Sequence, residues 1–165
     1  MKTGVTGVLA GLILITTGAV VAAEATSLPA VPEGPYRSDC GRCHLAYPAG
    51  LLPALSWERI MLGLTDHFGE QVQLSPQSTR AIYDYLLTNA AGRVTEPLSI
   101  EVMNQLGGDP APQRITGTPF FRSRHDTAAI RQAGERGAVK SMADCAACHP
   151  RAGEASFDAG EVQLP

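Results

Sequence analysis

Aromatic side chains are scarce in this chain: they make up 5% of 165 residues, with a single Trp. A core for one or at most two small domains usually leans on such residues, so something other than side chains is expected to fill part of it. Basic charge is short as well, with 13 Lys and Arg against 16 Asp and Glu and a formal net charge of -3. That balance excludes the basic footprint of a nucleic-acid binder. There are only four cysteines and four histidines, and they carry most of the chemical information.

The N-terminal end places the protein outside the cytoplasm. Lys2 is followed by an uncharged run from Thr3 to Ala23 that exits through small residues, so residues 1–25 read as a bacterial export signal cut after Ala23 or Ala25. The run is also long enough to span a bilayer, and retention as an anchor is the competing reading. Both readings put the remainder in the periplasm.

All four cysteines fall in two repeats of one pattern: Cys40, Cys43 and His44 in DCGRCH, then Cys145, Cys148 and His149 in DCAACH. Two structural disulfides are the ordinary use of four cysteines in an exported protein, but a disulfide has no need of a His directly after the second Cys. Haem attachment does: each thiol adds to a porphyrin vinyl group, and the adjacent imidazole becomes the proximal iron ligand. A four-thiolate zinc site would leave both histidines unexplained. A thioredoxin-like dithiol needs alternating strands and helices, which the chain between the motifs lacks. Two covalently attached haem c groups are therefore expected.

Two irons need two further ligands or stay open, and two histidines, His67 and His125, remain. In PALSWERIMLGLTDHFGE, Ser56 reads as an N-cap, and Trp57, Ile60, Met61, Leu64 and Phe68 recur at helical spacing, with His67 on the same stripe. Around His125, Thr118 and Pro119 read as N-cap and first helical position, Phe121 shares a face with His125, and Arg122 and Arg124 flank it within reach of haem propionates. Methionine is the competing ligand; Met61 and Met142 read as packing residues, while Met103 stays open as an alternative.

Residues 26–35 form a Pro-rich linker, expected to be extended and loosely ordered. Residues 36–92 form a first haem segment, with a helix capped by Ser75 and ended by Gly92, and residues 93–165 form a second, entered through a loose stretch with one short helix at most. Ligand order along the chain pairs His67 with His44 and His125 with His149, a crossed pairing remaining open. The fold class expected is mainly α: a small two-part c-type cytochrome whose helices and Pro/Gly-rich loops pack around two haems.

Three blocks, CGRCHLAYPAGLLPALSWERIMLGLTDHFGE, RITGTPFFRSRH and VKSMADCAACHP, together resemble the exported dihaem cytochrome c family of Gram-negative bacteria. The resemblance spans essentially the whole mature chain; Met142, where an aromatic is more usual, is a mild departure. It implies two six-coordinate haems with His44, His67, His125 and His149 as ligands, low potentials, and electron delivery to redox partners that include a small oxygen-binding monohaem cytochrome. The expected function is outer-sphere electron transfer without bond chemistry, the donor being another redox protein or a membrane electron donor. The alternatives are a haem enzyme of the dihaem peroxidase or reductase type, and a redox or gas sensor with one labile distal ligand. Between Arg114 and Lys140 six basic residues face only Asp126 and Glu135, and this stretch, Arg131 included, is the expected docking face for an acidic partner. Protein exported from a host competent in cytochrome c maturation is expected to show two haems by mass. Replacing either cysteine pair by alanine should remove one of them, and recovery of zinc with no haem would exclude the assignment.

Overall fold

The computed structural model describes residues 26–165; the export signal lies outside the described residues. Five α-helices form among these residues, α1 (Ala54–Leu62), α2 (Pro76–Thr88), α3 (Pro97–Asn104), α4 (Pro119–His125) and α5 (Ala128–Glu135), joined by single helical turns and loops. The only strand-like pairings among the described residues are isolated bridges. None of the described helices is long and apolar enough to cross a membrane.

Helices α1 and α2 pack against each other over the first apolar cluster, where Trp57, Ile60 and Met61 meet Ile82, Leu86, Leu52 and Tyr36. The apolar stripe read for α1 is therefore the buried face. Its start was misplaced, because α1 begins at Ala54 behind Pro53, and Ser56 is a fully buried helical residue whose hydroxyl finds no partner. Pro53 sets the backbone for helix entry without a side-chain cap. At the other end, α1 stops at Gly63, so His67 is not helical. The capping read for α2 holds at its start, where the Ser75 hydroxyl accepts from Ser78 N–H and Pro76 is the first helical residue. It ends at Thr88, before Gly92, with Asn89 reaching back to the Tyr85 carbonyl.

A second cluster gathers Leu28, Leu51, Ala91, Leu98, Val102, Phe120 and Ala155. These residues come from both sides of the 92/93 boundary, and side-chain bonds to the main chain cross it too. The buried Ser99 hydroxyl donates to the Gly50 carbonyl at 3.1 Å, while within the first segment Ala91 N–H donates to the Leu52 carbonyl at 2.9 Å. Gly50 has no room for a side chain, since a Cβ there would stand 2.3 Å from Ser99 Oγ. Residues 26–35 differ from the loose linker expected of them. They are extended but packed, with Leu28 and Val31 buried, Leu28 N–H bonded to the Ala155 carbonyl and the Thr26 carbonyl to Phe157 N–H. Leu28, just ahead of the prolines, has a partner in the C-terminal segment, far away in sequence, and Val31 between them joins the first apolar cluster.

Helix α4, which carries His125, starts as read: the Thr118 hydroxyl accepts from Phe121 N–H at 3.1 Å, with Pro119 first in the helix. Thr118 is buried and also donates to the Ile115 carbonyl at 2.8 Å. Two buried hydroxyls should thus respond oppositely to removal. Thr118→Ala is expected to cost about 1–2 kcal/mol through the lost cap. Ser56→Ala removes a hydroxyl that bonds to nothing, and should leave stability unchanged or raise it by up to about 1 kcal/mol. Denaturant unfolding of the holoprotein followed by far-UV circular dichroism measures both.

Candidate haem sites

The first motif grows out of a single wide turn, Tyr36–Cys40, anchored by Tyr36. That ring is buried against Trp57 and Tyr85, and its hydroxyl donates to the Tyr47 carbonyl at 2.6 Å. Cys40 and Cys43 form no disulfide and stay available for attachment; before attachment, burial, then Asp39, pushes the Cys40 thiol up to about 11. His44 follows with Nδ1 2.7 Å from the Leu45 carbonyl. A carbonyl can only accept, so Nδ1 carries the proton and Nε2 keeps its lone pair for a metal.

His67 arrives from the far side on a tight hairpin. Its N–H donates to the Glu70 carbonyl and its carbonyl accepts from Glu70 N–H, while Phe68 and Gly69 both have positive φ, at 59° and 99°. That is a two-residue loop of type I′, braced by the Asp66 carboxylate accepting from Gly69 N–H. The hairpin sets the His67 ring 6.2 Å from that of His44. Both rings, with Cys40 and Cys43, line a cavity of about 940 Å³, toward the upper end of the roughly 300–1,000 Å³ of cofactor pockets. Trp57, Ile60, Met61 and Leu86 form part of its apolar wall.

The second motif is a short turn, Cys145–Ala147, with His149 N–H bonded to the Cys145 carbonyl at 2.8 Å. The C-terminal segment clamps it: Gln163 N–H donates to the Cys148 carbonyl, and the Phe157 ring stands edge-on to His149 at 5.5 Å. His125 closes α4, stacked on Phe121 at 3.8 Å, with Nδ1 2.9 Å from the Phe121 carbonyl. Its ring lies 6.1 Å from that of His149. Burial lowers the pKa of His67, His125 and His149 below the ordinary range, with His44 and Arg114 adding for His67, Arg124 adding for His125, opposed by its bond to Phe121, and His125 adding for His149. Neutral imidazole is the ligating form.

These donor sets fit two haems. Two imidazoles sharing one metal, each nitrogen about 2 Å from it and each ring centre about 1.1 Å further, stand about 6.2 Å apart. The structure brings together His44 with His67 and His125 with His149, each pair beside its own pair of cysteines outside any disulfide. Among the described residues no three His, Cys, Asp or Glu side chains converge as a tetrahedral metal site would require. Met103 packs under Gly92 with the second apolar cluster, and Met142 is exposed. The flanking arginines differ from expectation, for Arg122 donates to the Gly117 carbonyl and Arg124 pairs with Glu101 while lying over Phe120. Arg131 is likewise paired, with Asp126.

The sequence reading missed Tyr47. Its ring stacks on His44 at 4.8 Å, and its hydroxyl donates to the Ala143 carbonyl at 2.7 Å, just ahead of the second motif. Cys145 lines the same cavity as Cys40 and Cys43. The two sites thus share a wall, and Tyr47 is built into it. Its place three residues after His44 was the one sequence signal, and the contact to Ala143 has none.

Residues 36–157 match the dihaem cytochrome c family. The chain is similar to the diheme cytochrome c from Rhodobacter sphaeroides at 36% identity and a TM-score of 0.68, over 78% of this chain and 99% of that one. It is also similar to the diheme cytochrome type c from Shewanella baltica OS155, at 35% identity and a TM-score of 0.65 over 82% and 95% of the two chains. No curated protein matches it. One position in the first motif permits a sharp check, because a Cβ on Gly41 would stand 2.2 Å from the Arg37 carbonyl oxygen. Gly41→Ala must displace backbone at the attachment turn, so the haem content by intact mass should fall from two toward one, with the second motif still loaded.

Proposed function

The chain belongs to the dihaem cytochrome c family and carries two covalent haem c groups, and on that footing we propose that it is a periplasmic electron carrier with two histidines on each iron. His44 and His67 serve the first haem, His149 and His125 the second. The observation that carries this reading is the spacing of the two imidazole pairs, 6.2 and 6.1 Å between ring centres. Cys40 with Cys43, and Cys145 with Cys148, supply the thioethers. Each haem iron, when bound, supplies a one-electron ferric/ferrous couple.

The protein's own contribution is to close both faces of each site, so that electrons pass without a substrate meeting iron. Imidazole in place of a thioether holds the potentials low. Tyr47, bridging His44 and the carbonyl of Ala143, keeps the two sites in contact and suits them to rapid exchange. The partner is another redox protein, such as a small oxygen-binding monohaem cytochrome or a membrane electron donor. Arg131 is exposed but already paired with Asp126, and exposed pairs of this kind hold weakly, so the basic stretch remains a usable docking face for acidic partners.

A second reading draws on the His67 hairpin. That ring has no hydrogen-bond partner among the described residues, and Phe68 holds a left-handed conformation rare for a bulky residue. A labile ligand there would make the first haem a sensor or an enzyme site. The oxidised protein is expected to be low-spin at both haems without a methionine charge-transfer band, and its reduced spectrum to be unchanged by carbon monoxide. His67→Ala and His125→Ala should each turn one haem, and one only, high-spin. A carbon monoxide shift in the unmodified protein would favour the second reading, and an unchanged spectrum in His125→Ala would return Met103 to consideration.

A further inference from the structure

The second half of the chain sends one cation into the first haem's site. Arg114, at the start of the turn Ile115–Gly117, lines the cavity of His44 and His67, and its guanidinium lies 4.1 Å from the centre of the Phe68 ring. Other arginines of the basic stretch each meet an acceptor of this chain at the surface: Arg122 the Gly117 carbonyl, Arg124 Glu101, Arg131 Asp126 and Arg136 the Pro165 carbonyl. Among the described residues Arg114 meets no carboxylate or carbonyl.

Arg42 is the other arginine on the cavity wall, but it sits between Cys40 and Cys43, where the vinyl edge of the porphyrin is attached. The propionates of haem c leave from the opposite edge, so their counter-charge has to come from a residue outside the attachment loop. Arg114 satisfies that condition, and Gln113 and Thr116 line the cavity beside it. A guanidinium fork suits a carboxylate. An aromatic ring under the guanidinium adds a cation–π attraction and limits its rotation.

We propose that Arg114 anchors a propionate of the first haem and, by placing a positive charge there, raises that haem's reduction potential relative to a neutral residue. The inference rests on the first haem being held by His44 and His67. Its consequence is that the second half of the chain tunes the potential of the haem attached to the first.

Spectroelectrochemical titration of the holoprotein tests it, with Arg114→Gln, Arg114→Lys and Phe68→Leu compared in low salt and at about 1 M salt, where charges are screened beyond roughly 3 Å. In Arg114→Gln one of the two waves should move to lower potential by up to about a tenfold change in the ferric-to-ferrous ratio, or about 59 mV for one electron. The shift should persist in high salt with both haems still low-spin. Arg114→Lys should restore part of it, and Phe68→Leu should reproduce little. The same titration in a His125→Ala background, where the second haem is high-spin, assigns the moving wave to the remaining low-spin haem. No shift, a shift that vanishes in high salt, equal shifts of both waves, or an equal effect of Phe68→Leu would each overturn the propionate contact. Failure of the ligand assignment would show separately, as a His67→Ala spectrum without one high-spin haem.

Discussion

Two imidazoles must be held about 6 Å apart, from segments that local folding alone would never bring together, and this happens twice in one small chain. At the first site one ring stands on the attachment turn after Cys43 and the other on a hairpin beyond α1. At the second, one ends α4 and the other follows Cys148 near the C-terminus. Small rotations of any of these segments would separate the rings, and each segment is fixed by contacts outside the pair. The α1 and α2 core holds the first site. The clamp of residues 26–28 on Ala155 and Phe157, with Gln163 on Cys148, holds the second.

The four histidines are not held alike. His44 and His125 each donate Nδ1–H to a peptide carbonyl, which fixes the tautomer and adds electron density to the ligating nitrogen. His67 and His149 take their orientation from packing, against Phe68 and Phe157. Each pair therefore combines one ring oriented by hydrogen bonding and one by packing, but the roles are exchanged: the fixed ring is the motif histidine at the first site and the distal histidine at the second. On the proposed assignment, two haems with the same ligand types would meet different surroundings, and different potentials would follow from that difference.

Chemistry was more legible in the sequence than placement. Cys40, Cys43 and His44, repeated as Cys145, Cys148 and His149, are contiguous, so spacing alone identifies them. His67 and His125 entered as candidates mainly through a count. The capping of α2 by Ser75 and α4 by Thr118 could be read because a cap is a local interaction. The helix expected to run through His67 failed because an apolar stripe does not reveal where it is interrupted, and here Gly63 and the Phe68–Gly69 turn interrupt it. Ser56 misled for a related reason: burial overrode its capping preference. Leu28 and Val31 pack on partners that no local pattern could indicate.

The scarcity of aromatic residues takes on meaning in the fold. Tyr47 lies on His44, Phe68 on His67, Phe121 on His125 and Phe157 on His149. Every histidine of the chain therefore has its own ring partner, and Tyr36, Trp57 and Tyr85 cluster beneath the first attachment turn. An aromatic face is rigid and restricts an adjacent imidazole at little entropic cost, since the ring has only two torsions to order. Flexible apolar residues in those places would leave the imidazoles free to turn, and on the proposed ligation the cost of ordering them would fall on binding the iron. A chain with two porphyrins to supply its apolar bulk has little use for aromatic filling. Four of its nine rings instead stand against the histidines proposed as ligands, where they set the imidazole orientation in advance.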